Sequence, residues 1–190
     1  MIRSGQTIEN PVTGERITFL KTSRDTDGEF VLIEAAVAPN GGVASHVHPY
    51  QTEEFEVRSG SVEFKRNGKK VVAHAGDTVV VEPGDVHRFK NVGAYEARFV
   101  AKVTPALEFE SFLETMFALA ADGKTNRKGM PMNPFRLAVI AKAHFDTVRL
   151  PFPPMWMQAA GLAVGCPLGK ALGYEATYTP ADGVPAPAAA

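Results

Sequence analysis

The hydrophobic period of this chain changes once, at Pro105, and that change restricts the folds open to it. Before Pro105, apolar residues alternate with polar ones in short runs: Ile17 and Phe19, Phe30 and Leu32, Val62 to Phe64, Ala97 to Val103. A period of two suits half-buried strands, because successive side chains point to opposite faces. Turn formers separate the runs: Asp25, Asp27-Gly28 and Asn40-Gly41-Gly42. Asn67-Gly68 suits a tight hairpin, since both residues accept positive φ. Many short strands between turns predict an antiparallel sandwich or barrel. After Pro105, Leu107, Phe109, Phe112, Leu113, Met116 and Phe117 recur at helical spacing and stop near Gly123. Asn133-Pro134 reads as the cap and first position of a second helix, striped by Leu137, Ile140, Ala141, His144 and Phe145. A third helical stretch runs from Met155 to Gly173, with Gly161, Gly165, Gly169 and Gly173 four residues apart and Pro167 interrupting the ladder. The expected organisation is mainly β: a barrel over 1–104, about three α-helices over 105–179 packed on the barrel or on a dimer interface, and a disordered Pro/Ala tail over 180–190.

Charge and cysteine content narrow the function. Twenty basic and 21 acidic side chains leave a formal net charge of −1. That leaves no basic surplus for phosphates and argues against nucleic acid as a partner. Cys166 is the single cysteine, so no intrachain disulfide can form. With no signal-like apolar stretch in residues 1–14, the expectation is a cytoplasmic protein. Met155 to Leu168 carries no charge but is shorter than a span of about 20 residues, so membrane contact is not expected.

The chemistry concentrates in His46-Val47-His48, Glu53 and His87. Residues i and i+2 of a strand share a face, so His46 and His48 can point into one cavity. Glu53 has the parity of Phe55 and Val57 and faces inward, whereas Glu54 faces water. An inward carboxylate needs a partner, because burying an isolated charge is costly. His87 shares a face with Phe89 and would close the site from a neighbouring strand. Three imidazoles and a carboxylate suit one divalent transition metal ion, whether Fe, Mn, Ni, Cu or Zn. Gln51 has the parity of Glu53 and is expected either to bond a substrate oxygen or to orient a histidine. Phe55, Phe64 and Phe89 are expected to wall the cavity, with Tyr50 at its rim. His74 is expected on the surface, His144 as a packed histidine, and Cys166 as a small buried hydrophobe.

These residues resemble the two motifs of the cupin superfamily. Gly41 or Gly42, His46-x-His48, Glu53 and Gly60 resemble the first; Gly76, Pro83-Gly84, His87 and Asn91 resemble the second. The resemblance covers 30–103 and implies a single jelly-roll barrel with His46, His48, Glu53 and His87 as ligands to a metal inside it. The helical segment resembles an extension carried by bacterial cupin-domain proteins. A small-molecule ligand and a homodimer are implied by analogy. The resulting expectation is a mononuclear metal-dependent, dioxygenase-like oxidoreductase acting on a small organic molecule, with Glu53 as both ligand and proton acceptor. A non-catalytic small-molecule sensor and a metal-dependent isomerase or lyase are the alternatives.

Overall fold

The computed structural model describes residues 2–179. The expected tail over 180–190 lies outside the described residues. Ten strands come first: β1 (Thr7–Asn10), β2 (Glu15–Lys21), β3 (Val31–Val37), β4 (His46–Val47), β5 (Thr52–Ser59), β6 (Ser61–Arg66), β7 (Lys69–His74), β8 (Thr78–Val81), β9 (Val86–Asn91) and β10 (Ala97–Thr104). Three helices follow: α1 (Phe109–Ala121), α2 (Pro134–Ala143) and α3 (Met155–Ala171).

The strands form two antiparallel sheets, ordered β1-β2-β3-β10-β5-β8 and β4-β9-β6-β7. Their inner faces enclose one apolar core, as expected for a jelly roll. Alternation decides which side chains enter it. In β5, Glu53, Phe55 and Val57 are buried, while Glu54 and Arg58 are exposed. Phe55, Phe64, Phe89 and Phe99 pack ring against ring, with centroids 5.0–6.5 Å apart. Such offset and edge-on contacts add to the stabilisation from burial alone.

Two local features fix the frame. Asn67 (φ 48°) and Gly68 (φ 85°) make the tight turn joining β6 to β7. Gly42 lies so close to β9 that a Cβ there would sit 2.3 Å from the Phe89 carbonyl oxygen, so only glycine permits the approach. That contact anchors the loop leading to His46.

The helical segment packs on the barrel through α1 against β1. Asn133 caps α2, its side-chain oxygen accepting from the amides of Phe135 and Arg136, both at 3.0 Å. Arg149 exchanges backbone hydrogen bonds with Val47, 2.9 and 3.0 Å, so the chain after α2 extends the sheet edge at β4. No helix among the described residues is long and apolar enough to cross a membrane.

Candidate metal centre and cavity

β4 and β9 place His46 directly opposite His87 in the antiparallel register. β5 supplies Glu53 from the other sheet, and His48 follows β4 as the chain turns. The expected strand through His48 is only two residues long, yet the 46 and 48 rings still converge, with centroids 4.9 Å apart. The His46 and His87 rings are 4.2 Å apart. One donor atom from each of the four residues lies within 4.8 Å of every other. His48, Glu53 and His87 are buried, and His46 is partly so.

The tautomers can be assigned from the partners of the rings. Nδ1 lies 2.9 Å from the Ala44 carbonyl in His46, 2.5 Å from the Thr147 carbonyl in His48, and 3.0 Å from the Asp85 carbonyl in His87. A carbonyl only accepts, so each Nδ1 carries the hydrogen and each neutral ring keeps a lone pair on Nε2. His87 Nε2 and Glu53 Oε2 approach to 2.7 Å, yet both are buried without a directed hydrogen bond. Two lone-pair atoms facing each other require a cation between or beside them. A transition metal ion fits this donor set of three nitrogens and one oxygen.

The electrostatics agree with that fit. Burial alone would raise the Glu53 carboxyl, but the adjacent His48, His87 and His46 outweigh it and hold it at about 2. Burial, reinforced by the charges of His87 and His48, pushes His46 down to about 3. For His87, burial lowers the value, but contact with Glu53 more than compensates and holds it above the ordinary range.

The group opens onto a cavity of about 430 Å³. Ile17, Ile33, Phe55, Phe89 and Phe99 form its barrel side, and Phe109, Phe112, Met116, Leu137, Phe145 and Met157 form the side built by the helical segment. Phe55 and Phe89 thus lie where the alternation places them. Phe64 does not line the cavity. It is inward-facing but packs behind Phe55 and Phe89, because parity fixes the face of a residue and not its depth. Gln51 also lies outside the lining. Its side-chain oxygen faces His48 Nδ1 at 2.9 Å, and its amide donates to the carbonyls of Pro105 and Ala106, at 2.9 and 3.1 Å. Its polar atoms are thus turned to His48 and to the junction between barrel and helices. Tyr50 is largely exposed. His144 is buried between the Ile140 carbonyl and the Phe112 ring, and Cys166 is buried. His74 is exposed at the end of β7, within 3.1 Å of the Ser61 hydroxyl.

Several cavity residues escaped the sequence reading. Glu15 has the parity of Ile17 and Phe19, so its inward orientation was available from alternation. Thr13 and Arg149 carried no such signal, because loop contacts between distant segments leave no period. Arg149 is largely engaged: its guanidinium donates to the Phe145 carbonyl at 2.7 Å, pairs with Asp146 at 3.3 Å, and stacks on the Phe145 ring.

Residues 33–102 match the family model of the cupin domain. The barrel is a cupin domain. It shares 24% identity over 106 residues with quercetin 2,3-dioxygenase of Bacillus subtilis, covering 55% of this chain and 31% of that protein. The probable oxidoreductase virH of Hypocrea virens is 28% identical over 202 aligned positions, covering 94% of this chain and 87% of its own length. The chain spans less than half of the quercetin dioxygenase and of the polyketide synthase CurC of Streptomyces cyaneus, to which it is 32% identical over 71 residues. Among solved structures, a predicted oxalate decarboxylase of Thermotoga maritima is 22% identical, with a TM-score of 0.50 over 55% of this chain and 98% of that one. That likeness concerns the fold. The cupin match ends inside β10, so α1, α2 and α3, which supply much of the cavity wall, lie beyond it.

Proposed function

We propose that this protein is a metal-dependent, dioxygenase-like oxidoreductase acting on a small, largely apolar organic molecule, with 1–104 as the metal-bearing barrel and 105–179 as its cover. One observation carries the reading: four donors with their lone pairs freed converge at the wall of an apolar cavity. Similarity to a quercetin dioxygenase and to a probable oxidoreductase supports it. His46, His48, Glu53 and His87 would hold the ion. A bound redox-active metal supplies Lewis acidity and one-electron chemistry. The residues supply the rest. Gln51 and the Thr147 carbonyl fix the His48 ring. Phe55, Phe89, Phe109 and Phe112 exclude water and orient a flat substrate. Glu53, ionised at neutral pH, is placed to accept the proton of a substrate hydroxyl.

The isomerase or lyase alternative calls for free cations beside the metal group to hold phosphate or carboxylate; Arg149 is engaged, and Lys128, the other cation on the lining, is exposed next to Gly129 at the Thr13 end, which weighs against it. The buried, unpaired Cys166 supports a cytoplasmic setting. The exposed apolar surface of α3, with Trp156, Val164 and Leu168, supports a homodimer.

The test is oxygen consumption by Fe(II)-loaded protein against phenolic, enol and thiol compounds. Uptake that depends on the organic compound and is lost in His87→Ala supports the reading. Tight binding of a compound with no oxygen uptake would move the protein to the sensor class.

A further inference from the structure

The cavity has a second polar end, remote from the histidines. Glu15 opens β2 and lines the cavity, and it is 5% exposed. It pairs with Val37 of β3, whereas Glu53 pairs with Val103, which pairs with Val31. Val31 and Val37 are the two ends of β3, about 20 Å apart at a rise of about 3.3 Å per residue. Glu15 and Glu53 therefore sit at opposite ends of the six-stranded sheet, both facing the same apolar space.

Among the described residues no cation is paired with Glu15; Lys128 lines the same cavity but is exposed. Burial pushes its carboxyl up to about 7, and only the nearby Thr13 hydroxyl acts against that. Thr13 makes no well-formed hydrogen bond: its Oγ1 is buried without a partner and lines the same end of the cavity. Asn10 shapes the turn that presents it, its side-chain oxygen accepting from the amides of Val12 and Thr13 at 3.0 and 3.1 Å. Gly129, from the loop between α1 and α2, closes over Thr13, and a Cβ there would lie 3.2 Å from its methyl group. A leucine at position 15 would complete the apolar wall at lower cost, since a buried carboxyl lacking a full set of partners is destabilising.

We propose that Glu15 and Thr13 form a subsite that binds a hydroxyl group at one end of an elongated, otherwise apolar ligand whose other end faces His46, His48, Glu53 and His87. The assignment rests on the cavity being the ligand site of the proposed function. A hydroxyl both donates and accepts, so it satisfies the carboxyl in either protonation state and leaves a bond for Thr13 Oγ1. An ammonium would bring a second full charge out of water beside the first, with a desolvation cost that one carboxylate repays poorly. A cavity of about 430 Å³ suits a molecule of two or three fused or linked rings.

The experiment measures binding of 4-phenylphenol, biphenyl and 4-(aminomethyl)biphenyl to metal-free protein, by displacement of a fluorescent apolar dye. The natural protein is expected to prefer 4-phenylphenol to biphenyl about tenfold, the worth of one hydrogen bond to a buried polar group. Glu15→Leu is expected to remove that preference while biphenyl still binds, which also shows that the variant is folded. Thr13→Val, a near-isosteric change, is expected to reduce it about threefold. A preference that survives Glu15→Leu overturns the assignment, because the hydroxyl then lies elsewhere. Tighter binding of the amine than of the phenol overturns the chemical class. If none of the three probes binds, the cavity is not a ligand site, and the proposed function fails with the subsite.

Discussion

The side-chain oxygen of Gln51 lies 2.9 Å from Nδ1 of His48, while the amide of the same residue donates to the carbonyls of Pro105 and Ala106. One fully buried side chain therefore ties a candidate ligand to the junction between barrel and helices. Gln51→Leu should lower metal affinity about 10- to 100-fold, the usual range for a group that orients a ligating histidine. It should also cost about 1–3 kcal/mol of stability, because the two carbonyls lose their donor. Chelator competition and thermal melts measure the two effects separately. Unchanged metal affinity would remove Gln51 from the site.

The folded-state value of Glu15, about 7, lies above its ordinary 4.5. Between those values the folded protein holds a proton that the unfolded chain releases. Stability from this group is therefore complete below 4.5, declines as pH rises through the window, and levels off above about 7. The loss amounts to about 3 kcal/mol at about 1.4 kcal/mol per pH unit. Glu15→Gln cannot ionise, so its melting temperature should gain on that of the natural protein between about pH 5 and about pH 8. Parallel melting curves across that range would show that Glu15 is not buried as described.

The glycines of α3 are not equivalent. A Cβ on Gly169 would lie 2.6 Å from both the Phe135 carbonyl oxygen and Val139 Cγ2, whereas one on Gly161 meets nothing within 4 Å. Gly169→Ala should destabilise by about 1–3 kcal/mol by forcing α3 away from α2. Gly161→Ala should be neutral or stabilising by up to about 1 kcal/mol, since alanine is the better helix former. Denaturant melts of the two variants check the contrast.

Trp156 is 71% exposed and Val164 65%. If α3 mediates the proposed homodimer, Trp156→Glu combined with Val164→Glu should halve the mass measured by light scattering without lowering the melting temperature of the barrel. A natural protein that is already monomeric at high concentration would contradict the dimer.

Much of the barrel was legible because strand alternation is a local property. Glu53 inward and Glu54 outward follow from parity with Phe55, and the turn at Asn67-Gly68 follows from its backbone preference. The convergence of His46, His48 and His87 was legible from spacing and from the cupin resemblance together. Depth was not legible: Phe64 shares the inward parity of Phe89 yet packs behind it. The helical side of the cavity was not legible either, since helical periodicity marks an apolar face but not the surface that face meets. The apolar stripe of α1 was plain in the sequence, but not that Phe109, Phe112 and Met116 line the space in front of the candidate ligands. Glu15 was overlooked although its parity with Ile17 and Phe19 was plain, because a single carboxylate at a strand start looks like a turn residue until its burial is known.

Elemental analysis after equilibration with Fe(II), Mn(II) and Zn(II) and removal of unbound ions tests the metal centre most directly. About one transition metal ion per chain is expected in the natural protein, falling below about a tenth in His87→Ala and in Glu53→Ala, since each removes a donor from a four-donor set. Metal-free natural protein after that treatment, or undiminished metal in both variants, would contradict it.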